Sequence, residues 1–280
     1  MTASPVAERS FAAIREDAIP AFRRRSAHAS TIERTAENLA TRAFGFERQH
    51  DPRCVFATAY SHLSRRLAGA LEGPGFAEPA WVAALATVFA DYYFRASDQF
   101  DAGTLRPGVW KSAFDAGKAG HTTVLQDLVL GMTAHIVSDL PYALCDVGLR
   151  DAAGRSRMPD YHHVNDVLAA AIQEIQSVIS HRYDPLLGAL DFLAGDSDEI
   201  LTNYGLRLSR ALAWYNAERL LSPKLRATTE DSLDRSTQLV VTDLLDPPWL
   251  SLRRVARGLG WVSRTARLWP ARDTEGEETP

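Results

Sequence analysis

Near the middle of the chain, the stretch GMTAHIVSDLPYALCDVG (residues 131–148) places His135 and Asp139 four residues apart in otherwise apolar surroundings. An imidazole and a carboxylate one helical turn apart can do two kinds of chemistry. They can ligate a divalent metal together, or they can work as an acid–base pair in which the carboxylate fixes the tautomer of the ring. The segment DYHHVNDVL repeats the spacing with His162 and Asp166, and sets His163 and Asn165 beside them. Asp91, in FADYYF, offers a further carboxylate, and Tyr60 or His62 could approach from another element. Arg210, in RLSRALAW, is either a buried partner for Asp139 or Asp91 or an anchor for a ligand; pairing with a carboxylate is expected.

For these groups to meet, helices must carry them. Each residue of an α-helix turns about 100°, so His135 and Asp139 lie about 40° apart on one face. His121, fourteen residues before His135, falls again about 40° from a whole number of turns. An unbroken helix from about His121 to Asp139, ending or kinking at Pro141, would make one polar stripe of the three. Paired helices are where bundles build metal centres, so a set drawn from His135, Asp139, Asp91, His121, His162 and Asp166 would suit zinc, iron or manganese. The alternative is a buried His135–Asp139 hydrogen bond that orients DLP at the helix end. Gly131, in mid-helix, costs about 1 kcal/mol relative to alanine and predicts a close neighbour.

Helical spacing dominates the whole chain. Helices are expected near 5–19, 31–44 and 52–72, then over EPAWVAALATVFADYYFRAS, PGVWKSAFDAG, YHHVNDVLAAAIQEIQSVISHRY (with Asp160 as N-cap) and about 197–221. TQLVVTD near residue 240 is the only serious strand candidate. The fold class is therefore all-α, a bundle of about eight helices over 1–222. A basic helical appendage with interleaved tryptophans is expected over 223–270, and a disordered acidic tail over 271–280. Trp81, Trp110 and Trp214, with Phe89, Tyr93 and Phe94, read mostly as core.

The 280 residues are 46% hydrophobic and carry a formal net charge of -4, enough apolar material for one sizeable core and no global positive field to attract nucleic acid. The basic segment carrying Arg253, Arg254, Arg257, Arg264 and Arg267 could lie on an anionic membrane surface, though a solvated face is the better expectation. Cys54 and Cys145 form no paired-thiol motif, MTASPVAERS lacks the pattern of a secretory signal, and no unbroken apolar run suggests a bilayer span. A cytoplasmic location is expected. Neither a nucleophile elbow nor a glycine-rich phosphate or dinucleotide loop is present.

At LGMTAHIVSDLPYAL and DYHHVNDVL, together with VFATAY, PAWVAALATVFADYYFRA, VWKSAF and RALAWYNAERL in the same order, the chain resembles an uncharacterised, mainly bacterial family defined only as a domain of unknown function. The resemblance spans roughly residues 50–220. It implies that Tyr60, Asp91, Trp110, His135, Asp139, Asp160, Asn165, Arg210 and Trp214 are the key positions; the family pattern prefers asparagine where this chain has Thr133 and Asp91. By that pattern Asn165, and not Asp166 or His162, belongs with His135, Asp139 and Asp91. The chain is also similar, more faintly, to zinc-dependent phospholipases C and single-strand nucleases, whose His-x-x-x-Asp pairs it shares but whose N-terminal amino group and aromatic it lacks.

Together these features lead us to expect an enzyme acting on a small, largely apolar metabolite. It would be a metal-dependent hydrolase or, without metal, a cyclase or isomerase. The competing expectation is a helical binding protein with a structural polar cluster.

Overall fold

A computed structural model describes residues 5–185, 196–246 and 267–269, with 5–24 and 196–204 described by backbone alone. The described residues form an all-α bundle, and their one β feature is an isolated bridge between Arg150 and Ser156. The helices are α1 (Pro5–Arg48), α2 (Arg53–Glu72), α3 (Pro79–Asp101), α4 (Val109–Lys118), α5 (Val124–Thr133), α6 (Leu140–Val147), α7 (Met158–Tyr183), α8 (Asp196–Leu220) and α9 (Arg226–Leu245). One π-helical turn, Ala134–Asp139, joins α5 to α6.

Helix α1 merges the two N-terminal helices expected from the sequence, because Pro20 removes one backbone donor without obliging the helix to end. It packs along α2, where small residues allow close approach, and Ser61 Oγ donates to the Ala36 carbonyl at 2.8 Å. Helix α2 in turn packs on α7 and α5. Thr123 starts α5 with a capping box: its hydroxyl accepts from the Gln126 amide while the Gln126 side chain accepts from the Thr123 amide. His121 therefore lies before the helix and not on it, which removes it from the expected polar stripe.

Pro141 does not stop the central helix either. Lacking an N–H, it cannot bond the carbonyl four residues back, and the helix accommodates it by widening, so that Leu140 donates to the His135 carbonyl five residues earlier. The run Val124–Val147 is long and apolar enough to cross a membrane by length and composition alone, but half of its most apolar stretch is buried among the other helices. The π turn touches α3, α4, α8 and α9.

Two further expectations are corrected. TQLVVTD is helical, part of α9, with Thr237 and Val241 turned inward. Asp160 is not the N-cap of α7, which begins at Met158; its carboxylate accepts from the backbone amides of Ala77 and Glu78 at 2.9 and 2.6 Å and pins the start of α3. Helix α9 packs on α4, α5 and the π turn, within the region expected to be an appendage. The basic residues Arg253, Arg254, Arg257 and Arg264 and the acidic tail lie outside the described residues.

Among the described residues two large apolar clusters fill most of the interior, and a small third one, Ala113, Leu130 and Val241, lies where α9 meets α4 and α5. The first gathers around Leu71, Trp81, Leu140, Leu144, Tyr161 and Trp214. The second gathers around Val55, Phe56, Tyr93, Trp110, Phe114 and Tyr183. Cys54, in the second, is buried and Cys145 is half-buried; both are free thiols.

Candidate functional site

His135 stands where the two large clusters meet. It is 2% exposed, on the π turn, with its ring stacked on Phe89 of α3 at 3.5 Å and 5°. Tyr60 of α2 packs edge-on at 4.9 Å and Phe56 at 5.8 Å. Gly131 is what lets α2 come so close: a Cβ there would sit 2.6 Å from Phe56 ring carbons, as the expected close neighbour requires.

His135 Nδ1 lies 3.0 Å from Asp139 Oδ2, and Trp110 Nε1 donates to the same oxygen at 2.9 Å. An oxygen that already accepts from an indole is an acceptor for the ring as well, so Nδ1 carries the imidazole proton and Nε2 keeps its lone pair. Nε2 is buried and has no hydrogen-bond partner among the described residues. Burial holds the ring below its ordinary pKa, outweighing the pull of the Asp139 carboxylate, so it is neutral at pH 7. Burial, with Asp139 and Asp91 adding repulsion, pushes the Tyr60 phenol well above its usual range. The pair thus holds a base without its proton beside an acid that keeps its own.

Both rings line a cavity of about 170 Å³ bounded by α2, α3, the central helix, α7 and α8. Its wall is mostly aliphatic and aromatic, including Leu67, Leu85, Phe89, Ile136, Leu168 and Ile172. Arg210 of α8 brings the one guanidinium among the described residues of that wall.

Arg210 is 5% exposed and does not pair with Asp139 or Asp91 as expected. Its Nε donates to Asn165 Oδ1 at 2.5 Å, one Nη donates to the Tyr161 carbonyl at 3.2 Å, and its plane lies over the Tyr161 ring at 4.3 Å. Tyr161 Oη returns a bond to the Arg210 carbonyl at 2.7 Å. Asn165 also donates from Nδ2 to His162 Nδ1 at 3.4 Å. Asn165 therefore reaches the cavity only through Arg210, and it is not among the wall residues.

The remaining expected ligands point elsewhere, for reasons of helical phase. Asp91 is two residues beyond Phe89, about 200° around α3, so the face that turns Phe89 onto His135 turns Asp91 to solvent. His162 and Asp166 each follow a buried residue of α7, Tyr161 and Asn165, by about 100° and are exposed. Asp166 pairs there with Arg207 at 2.9 Å and His163 at 3.5 Å. His121 is exposed ahead of α5, and His62 lies 3.9 Å from Glu174. No group of three or more His, Cys, Asp or Glu residues that could hold a metal occurs among the described residues. The two His-x-x-x-Asp pairs do not converge, and His135 and Asp139 are committed to each other.

Sequence reasoning missed the roles of two residues in the site. Phe89, read as core, is the ring on which His135 stacks; its spacing of four from Tyr93, which also borders His135 at 6.3 Å, was the available signal. Trp110 supplies the proton that settles the tautomer, and no local pattern links it to Asp139, 29 residues on.

No curated protein and no solved structure matches the chain. A family model, described as a family of unknown function (DUF5995), matches residues 32–247. That match spans every helix that lines the cavity, and with it His135, Asp139, Trp110, Tyr60 and Arg210, so the chain belongs to DUF5995.

Proposed function

We propose that the protein is an enzyme that uses His135 as a general base on a small, largely apolar substrate, moving a proton within it as in an isomerisation or cyclisation. The observation that carries this reading is the bare, buried Nε2 of His135 at the wall of an apolar cavity, with Nδ1 held by Asp139. In such a site Nε2 takes a proton from the substrate, Asp139 steadies the imidazolium that forms, and the Tyr60 phenol is placed to return a proton or hold developing negative charge. The aromatic walls exclude water, which keeps the base unsolvated before it reacts. A metal-dependent hydrolase finds less support, because the carboxylates and imidazoles that would complete the ligand set face solvent.

The base can be tested before the substrate is known. 5-Nitrobenzisoxazole needs only removal of its ring C–H proton: the C–H electron pair forms a nitrile as the ring N–O bond breaks, and the molecule opens to a coloured cyano-nitrophenolate. The wild type should accelerate this elimination at least about 100-fold over the His135→Gln variant. Equal rates for the two proteins would defeat the proposal and leave a non-catalytic binding protein.

A further inference from the structure

Arg210 is not explained by acid–base chemistry at His135. A guanidinium buried in a bundle normally meets a carboxylate, because an isolated charge away from water is costly. Here no Asp or Glu pairs with Arg210 among the described residues. Its bonded partners are an amide oxygen and a backbone carbonyl, both neutral, and they use Nε and one Nη group. The other Nη makes no hydrogen bond among the described residues, and the side chain forms part of the cavity wall. Asn165, the Tyr161 carbonyl and the Tyr161 ring hold the planar fork in one orientation, so its geometry is set before any ligand arrives.

We propose that the cavity binds an apolar monocarboxylate, its carboxylate on the free edge of Arg210 and its hydrocarbon body along the aliphatic wall toward His135. The assignment deepens the proposed function, since it rests on the same cavity being the substrate site. The chemistry of the wall selects the class. One cation matches one negative charge, and a guanidinium edge matches the two oxygens of a carboxylate. A phosphate ester would bring a second charge, with no second cation among the described residues of the wall to meet it. An amine would meet like charge, and a neutral ester would leave the guanidinium without its counter-ion. Asn165 is on this account a positioning residue, which explains why it is buried behind Arg210 and not on the wall.

Calorimetric titration of the full-length protein with decanoate, methyl decanoate and decylamine tests this on the unaltered chain. Decanoate should bind at least about 30-fold more tightly than the ester, with decylamine weaker still. Arg210→Met should abolish the preference for the acid while retaining binding of the ester, and Arg210→Lys should keep part of the preference. Equal affinity for acid and ester in the wild type, no binding of decanoate, or a preference that survives Arg210→Met would each overturn the proposal. Elimination of 5-nitrobenzisoxazole without decanoate binding would sink this assignment alone. Decanoate binding without elimination would sink the base alone.

Discussion

At the scale of the residue, one hydrogen-bonded chain, Trp110 to Asp139 to His135, determines what the site can do. The indole and the carboxylate together leave His135 one free nitrogen, and burial keeps that nitrogen unprotonated at neutral pH. The same burial links the ring to stability. The folded pKa lies below the ordinary 6.5, so the unfolded chain takes up the proton first as pH falls. Stability contributed by the neutral ring is therefore complete above 6.5 and declines below it, down to the folded pKa. Urea unfolding of the wild type between pH 7.5 and 4.5 should show this decline, and His135→Gln should lose that component of it. A difference between the two proteins that stays constant with pH would mean that the ring is not buried in its neutral form. Elimination of 5-nitrobenzisoxazole should likewise hold its plateau to lower pH than an exposed histidine would allow.

Elements place that residue through backbone geometry. Pro141 turns what would be a plain α-helix into one with a wide turn at 134–139, and π turns of this kind recur at functional sites. Just before that turn, Gly131 lets Phe56 of α2 press against the central helix. An alanine at 131 gives the helix about 1 kcal/mol in propensity, yet its Cβ meets Phe56 at Cβ and Cγ, near the fixed end of that side chain. Overpacking should win, and Gly131→Ala should lose about 1–2 kcal/mol net in urea unfolding. A stabilised variant would show that the contact with Phe56 is slack. Helical phase legibly sorts α3 and α7 too: Phe89 and Tyr93 share one inward face, Tyr161 and Asn165 another, and Asp91 and Asp166 fall off both.

Across the whole molecule, a segment distant in sequence closes over the bundle. Arg267 forms an ion pair with Asp127 of α5, both side chains nearly buried, and Leu268 donates to the Tyr183 carbonyl at 2.7 Å. Trp269 packs edge-on against His50 at 5.0 Å. Burial pushes Asp127 above its ordinary pKa even though Arg267 and the Thr122 hydroxyl oppose the shift. Because the folded carboxyl binds its proton more readily than the unfolded one, Asp127 costs stability as pH rises above its ordinary 3.8. Removing Arg267 leaves that charge unpaired. Arg267→Met should cost about 3 kcal/mol at pH 7 and distinctly less near pH 4.5, where the carboxyl can stay protonated. A loss that does not depend on pH would mean that the segment is held by packing alone.

The hydrophobic periodicity and the scarcity of strand signals carried the all-α class, and the spacing of His135, Asp139 and Gly131 marked the central helix as the place to look. Those are local properties, set by the turn of one helix and by side chains within reach along it. Which other groups join His135 was decided by the packing of helices far apart in sequence: Trp110 on the carboxylate, Phe89 on the ring, and Asn165 on Arg210 in place of the expected acid. A rotation of about 100° about any helix axis exchanges a wall residue for an exposed one, and the apolar stripe of a single helix narrows that rotation but does not fix it. The contacts between helices do, which is why two helices with the same His-x-x-x-Asp spacing ended as a buried dyad in one and a solvated pair in the other.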